Sequence, residues 1–264
     1  MKDDTIATVK ESLGTSRKRK RSICDRCKKP SPQACICSAL PETPITLQHS
    51  RVIVLQHPHE RKRKNSSIPL ISLCLDQSMK DDDTDDFDFS FYTVTGRYLG
   101  EDIVLSSVWK MINDPNEPVY ICYPNEDAVS LKELLSQESV ASCRELGDQN
   151  CKRINIKPTF IFIDATWSHA KEMYIKTKEK NGWPKHAINI KLNPTSDNGK
   201  DFQARRFDIR TPPSPDHLST SECIATVLRE VEGESNKDIF DLLMRPLDLM
   251  VSQWRSFKNK RQND

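Results

Sequence analysis

Glycine is scarce in this chain, with seven residues in 264. No stretch gathers the glycines that a phosphate loop or a dinucleotide-binding turn needs for close backbone approach, and both of those nucleotide sites are set aside. Long apolar runs are also missing, so no membrane span is expected. The start, MKDDTIATVKESLG, carries acids where a transit peptide is acid-poor, and it does not read as a secretory leader. A reducing compartment follows as the expectation, nucleus or cytoplasm, and the SRKRKRS run at 16–22 has the composition of a nuclear import signal. Nine cysteines in such a compartment point to thiols or a metal site instead of a disulfide framework.

What is present is enough chain for one large α/β domain plus a small module. The net charge of +2 hides a strong segregation. Basic residues fill 17–21 and 61–64 and crowd the C-terminus at Arg255, Lys258, Lys260 and Arg261, while DDDTDDFD occupies 81–88. Separate basic patches suit a polyanion such as RNA, although the run at 17–21 also reads as a solvated tail. Residues 1–22 lack apolar periodicity and read as a disordered tail, with a second basic tail at 259–264.

From Arg51 onward, apolar strands alternate with helical patterns. RVIVLQ at 51–56, PVYICYP at 118–124, TFIFID at 159–164 and AINIKL at 187–192 read as strands. Helices are expected over 126–137, from about Ala165 to the Asn181–Gly182 stop, and after Ser219, where Ser219 and Glu222 have capping-box spacing. In DIFDLLMRPLDLMVSQW, Pro246 predicts one helix ending at Met244 or Arg245 and another beginning near Pro246. Apolar strands separated by helices argue for a mostly parallel sheet covered on both faces. The stretches 76–90 and 138–153 read as flexible loops.

CDRCKKPSPQACICSALP places Cys24, Cys27, Cys35 and Cys37 at C-x2-C and C-x-C spacing, which matches a closed, structural tetrahedral zinc site. With almost no core of its own, a module over 23–41 would draw its folding energy from the metal. Among the remaining cysteines, Cys122 and Cys223 lie in apolar patterns and read as core.

TFIFID ends on Asp164, and in a parallel sheet ligands gather beyond the carboxyl ends of strands. A carboxylate there can accept a substrate proton or grip a polar group. It can equally cap the helix that follows, as can Thr166. Trp167, Ala170 and Tyr174 share one helical face, so Trp167 reads as packing. Arg61, Lys62, Arg63 and Lys64 follow the first strand, at the same sheet edge if the strands are parallel, and are candidates for nucleic-acid phosphate contacts. His57, His59 and Glu60 have a metal-like spacing that the local context does not require, and they read as structural or pocket-lining. Leu218, Ser219 and Thr220 stand before a helix N-terminus, where backbone N–H groups can hold a carboxylate, unless Ser219 and Glu222 cap it themselves.

DATW at 164–167 resembles the D-x-T-W motif of the DTW-domain family, the tRNA-uridine aminocarboxypropyltransferases. The four cysteines, HPHERKRKNSS at 57–67, YPNEDA at 123–128 and RTPPSPDHLSTSECIA at 210–225 resemble further family elements in the same order, so the likeness spans about 23–254, with 42–258 as the catalytic domain. Cys223 stands where the family has Ala, and the two loops are longer than its core needs. The resemblance implies a fold similar to SPOUT methyltransferases with a knotted C-terminal half, and a structural zinc. It implies S-adenosylmethionine as donor and tRNA as acceptor, with the 3-amino-3-carboxypropyl group moved to N3 of a uridine and methylthioadenosine released. Asp164 would then be the general base. Tyr123, Pro124, Thr166, Trp167, Arg210, Leu218, Ser219 and Thr220 would line the donor site. An RNA methyltransferase and a non-enzymatic zinc-containing RNA-binding protein are the alternative readings.

Overall fold

A computed structural model describes residues 22–79, 87–136, 157–192, 218–233 and 235–262. Of the segments singled out above, the tail up to Arg21, residues 80–86, the 138–153 loop with Cys143 and Cys151, and Arg210 lie outside them.

Six strands form one sheet: β1 (Arg51–Gln56), β2 (Phe91–Thr95), β3 (Val119–Cys122), β4 (Val129–Ser130), β5 (Thr159–Asp164) and β6 (Ile188–Lys191). They lie in the order β2-β1-β5-β3-β6-β4, and every pairing is parallel. Among the described residues, seven α-helices accompany them: α1 (Pro58–Arg61), α2 (Ile68–Cys74), α3 (Ser106–Asn113), α4 (Leu131–Ser136), α5 (Trp167–Glu179), α6 (Thr220–Glu232) and α7 (Ile239–Gln262).

Alternate residues of the central strands feed two cores. Val52, Val54, Phe160, Phe162 and Tyr120 pack with α2, α4, α6 and α7 on one face. Ile53, Leu55, Ile161 and Val119 pack with Val108 and Ile112 of α3 and Met173 of α5 on the other. This is the continuous apolar pattern of a parallel sheet covered on both sides. The segment 193–217, which joins β6 to α6, lies outside the described residues, and with it the path that a knot would require.

Several local expectations need correction. Pro246 does not end a helix, because α7 runs through it from Ile239 to Gln262, over most of the expected basic tail. Proline cannot bond the carbonyl of Leu242, and the Cys74 thiol, 4.0 Å away, donates weakly to that carbonyl instead. The buried stripe Ile239, Leu243, Met244, Leu247, Met250 and Val251 crosses the proline without interruption, and that burial outweighs its cost of about 3 kcal/mol. The helix expected over 126–137 begins only at Leu131, because Val129 and Ser130 are taken by pairing with Ile190 and Lys191. β2 was hidden behind the acidic stretch, yet Phe89 and Phe91 are buried and β2 forms the sheet edge. The α6 capping box forms as expected, with Ser219 N–H donating to Glu222 Oε2 at 2.7 Å and Glu222 N–H donating to Ser219 Oγ at 3.3 Å.

The amino edge of the sheet is fixed by charge. Arg51, 6% exposed, donates to Asp88 and Glu117 at 2.8 Å each, and Lys157 reaches Asp88 at 2.6 Å. Burial raises the Asp88 carboxyl, but hydrogen bonds from Lys157 and Arg51 outweigh it and hold it below the ordinary range. Near the C-terminal end of α5, Thr177 Oγ accepts Leu99 N–H at 3.0 Å, and Gly182 follows with no room for a side chain, since a Cβ there would lie 1.9 Å from Leu99 O.

Gly182→Ala is therefore expected to lower stability by about 1–3 kcal/mol, read as a fall in denaturation midpoint. Because the folded Asp88 carboxyl titrates below its unfolded value, its stabilisation is present above the unfolded pKa and is lost as pH falls through the folded one. Asp88→Asn should cost about 1–3 kcal/mol at neutral pH, and its midpoint should converge with the parent's in acid.

Candidate active site

Parallel pairing gathers the carboxyl ends of the strands at one edge. Gln56 is the register partner of Asp164, and His57 N–H, one residue beyond β1, donates to Asp164 O at 2.9 Å. The two loops that leave β1 and β5 are thus joined at their roots. Asp164 is buried, 7% exposed, and Gln56 Nε2 donates to its Oδ2 at 2.9 Å. Asp164 is not the cap of α5. Thr166 takes that place, with His169 N–H donating to its Oγ at 3.5 Å.

Trp167 is less buried than its helical face predicts. It opens α5 and is 41% exposed, whereas Ala170 one turn on is buried. A first-turn side chain points back past the helix start, where its own helix has no preceding turn to cover it. Tyr174 instead stacks on Tyr123, with centroids 4.1 Å apart and planes at 9°, and is further held by Asn125 Nδ2 at 3.2 Å. Tyr123 follows β3, so this aromatic pair stands at the same edge as Asp164, while Pro124 beside it is exposed. Burial and then the neighbouring Tyr174 raise the Tyr123 hydroxyl above its ordinary range.

The start of α6 also belongs to this end of the sheet. The Cys122 thiol, the last residue of β3, is pushed well up by burial and then by its neighbour Cys223 in the first turn of α6. Leu218, Ser219 and Thr220 are half-buried there, but the backbone N–H of Ser219 is already bonded to Glu222. The Ser219–Glu222 capping box is formed, and it uses the N–H groups of Ser219 and Glu222. Arg61, Lys62, Arg63 and Lys64 are all exposed just after β1, and Arg63 pairs with the buried Glu60 at 2.9 Å. The basic run thus lies beyond the carboxyl end of β1, the sheet edge that also carries Asp164.

His57 and His59 are joined by a residue that the spacing did not reveal. His169 stacks on His57 with centroids 4.4 Å apart and planes at 9°, and His59 stands edge-on to both. Burial, then His169, His59 and Arg97, lower the His57 imidazole below its ordinary range, opposed only by Glu172. Gln56, Tyr174 and His169 are the partners that sequence reasoning passed over. His169 was legible in principle, since a first-turn residue after a strand-end acid must face the same edge.

Away from this edge, the four cysteines of the N-terminal module converge. Cys24 and Cys37 sulfurs lie 3.4 Å apart, those of Cys27 and Cys35 lie 3.7 Å apart, and all four fall within 4.8 Å. A tetrahedral Zn–S4 site has sulfur edges of about 3.8 Å, so the donor set fits a zinc ion. Backbone N–H groups of Cys27 and Arg26, with the Cys37 thiol, lower Cys24 to about 6, whereas burial and the other sulfurs push Cys37 up to about 12. As thiolates, the four sulfurs at this separation would repel one another without a cation among them. Beyond any metal, the module also packs on the main core. Ile36 is fully buried within it, and Gln253 Nε2 of α7 donates to Cys35 O at 3.0 Å.

Comparison with known proteins gives this geometry a context. The chain is 27% identical over 252 residues to tRNA-uridine aminocarboxypropyltransferase 2 of Macaca fascicularis, covering 95% of this chain and 69% of that protein. It is 25% identical over 221 residues to tRNA-uridine aminocarboxypropyltransferase A of Arabidopsis thaliana, covering 83% and 75%. The Drosophila melanogaster tRNA-uridine aminocarboxypropyltransferase 2 matches at 25% over 228 residues, 86% of this chain and 73% of that one. No solved structure matches significantly. The sequence pattern of the DTW domain covers residues 21–255, and the chain belongs to the DTW domain family.

Proposed function

We propose that this protein is a tRNA-uridine aminocarboxypropyltransferase that uses S-adenosylmethionine as donor. The observation that carries the reading is the convergence of Asp164, the Tyr123–Tyr174 pair and the exposed Arg61–Lys64 run on one sheet edge, in a chain whose relatives bear that name.

All three carbons bonded to a sulfonium are activated, so the binding pose selects the group that moves. Transfer requires the γ-carbon of the methionine chain to face uridine N3. As N3 attacks, a new N–C bond forms and the C–S bond breaks with its electrons left on sulfur, which departs as methylthioadenosine. The N3 proton must go to a base. Asp164 takes it, with Gln56 Nε2 orienting the carboxylate and the His57 N–H bond fixing its backbone. Tyr123 and Trp167 offer ring faces to the adenine or the target base. Arg61, Lys62, Arg63 and Lys64 hold tRNA phosphates, and Thr166, Pro124, Leu218, Ser219, Thr220 and Arg210 complete the donor side. Zinc bound by Cys24, Cys27, Cys35 and Cys37 is structural, because four sulfur ligands leave no open position.

Two experiments test this. Nucleosides from tRNA incubated with the protein and S-adenosylmethionine should contain 3-(3-amino-3-carboxypropyl)uridine, with one methylthioadenosine per modification. S-adenosylhomocysteine as the by-product would mean methyl transfer instead. Asp164→Asn should lower turnover by about 100-fold or more with donor affinity unchanged, and near-normal turnover removes Asp164 as the base. For the metal, Cys27→Ser should lose one zinc equivalent and lower the melting temperature, and a strong chelator should make the module's thiols reactive to a disulfide reagent.

A further inference from the structure

Three imidazoles meet beside Asp164, and nothing in the transfer chemistry above uses them. His57 follows β1 and caps α1, His59 lies two residues on in α1, and His169 stands in the first turn of α5. The β1–β5 register, closed by the His57 N–H bond to Asp164 O at 2.9 Å, is what sets these two loops side by side. One ring nitrogen from each histidine lies within 4.8 Å of the others. His57 is 3% exposed, His169 is half-buried and His59 is exposed, so the group has a buried wall and one solvent-facing member.

Packing alone explains a pair of stacked rings, but it gives no reason for a third imidazole to present its nitrogen to the same point. We infer that His57, His59 and His169 form a second metal site, for a late first-row divalent ion such as Zn2+, Co2+ or Ni2+. Three neutral nitrogen donors favour these ions over Mg2+ or Ca2+, which take oxygen ligands. Three protein ligands also leave a coordination position for water or a substrate oxygen, unlike the closed cysteine site.

The site forms on binding. Nitrogens around a tetrahedral ion at about 2.1 Å lie about 3.4 Å apart, so the rings must close from their present spacing. The parallel His57–His169 stack, at 9°, directs its lone pairs side by side, and one ring must turn for both to meet one ion. His57 Nδ1 now accepts the His59 N–H at 3.2 Å. A neutral imidazole has one lone pair, so this bond is given up whichever nitrogen ligates. Metal binding thus replaces a weak cap at the start of α1, the element that leads into the Arg61–Lys64 run.

The test uses the full untagged chain, stripped of metal and titrated with Co2+. Two equivalents should bind. One gives intense thiolate-to-cobalt charge transfer from the cysteine site, and the other gives only weak visible bands. His59→Ala, at an exposed position, and His169→Gln should each weaken the second equivalent at least about tenfold and leave the charge-transfer band intact. Saturation at one equivalent, or a second equivalent unchanged in both variants, overturns the inference. Neither readout depends on transfer activity, so the aminocarboxypropyltransferase reading can fail while this one stands.

Discussion

The parallel pairing of β1 with β5 is the constraint on which the rest of the site depends. It aligns Arg51 with Thr159 at one end and Gln56 with Asp164 at the other, six residue pairs in register. Side chains alternate between faces along a strand, so a slip of one residue would turn Val52 and Val54 from the core of α2, α6 and α7 into that of α3 and α5. Both faces are apolar, so burial alone would resist such a slip less than usual. The ends supply the discrimination. Arg51 meets Asp88, Glu117 and the Lys157 carbonyl at the amino edge, and Gln56 and His57 hold Asp164 at the carboxyl edge.

These two edges do different work. At the amino edge the charges are paired with one another: Arg51 and Lys157 share Asp88, and Glu117 completes the set. At the carboxyl edge the polar groups are grouped by kind. Imidazoles stand together, an aromatic pair stands apart from them, and the basic run after α1 is exposed to solvent. Paired charge fixes a register, whereas presented charge, rings and an oriented carboxylate are suited to a ligand. The proposed chemistry is placed at the second edge for that reason, in keeping with the general placement of ligands beyond the carboxyl ends of parallel strands.

Much of this was legible in the sequence because the determining interactions are local. β1 and β5 appeared with their full bounds, since six-residue apolar strands ending at polar residues leave little choice. The α6 start was legible because a capping box is written within four residues. The cysteine set was legible because its ligands lie close along the chain. What escaped the sequence was long-range. β2 followed an acidic stretch, and its edge position depends on pairing with β1. β4 exists only because β6 lies beside it. Pro246 is carried through α7 by a stripe of buried residues and by a thiol from α2, neither of which a local rule weighs. Periodicity puts Trp167 on the packed face of its helix, but in a helix's first turn no preceding turn of that helix lies over the side chain, and Trp167 stays 41% exposed. Among the described residues, no helix is long and apolar enough to cross a membrane.

The central claim is that the donor binds at the carboxyl ends of β1, β5 and β3. Amide hydrogen exchange of the full chain, measured with and without S-adenosylmethionine, tests it most directly. Slower exchange is expected in the segments that leave those strands, 57–64, 123–128 and 164–169, with the amino edge around Arg51 and Asp88 unchanged. Protection confined to the amino edge, or to the cysteine module, would contradict it.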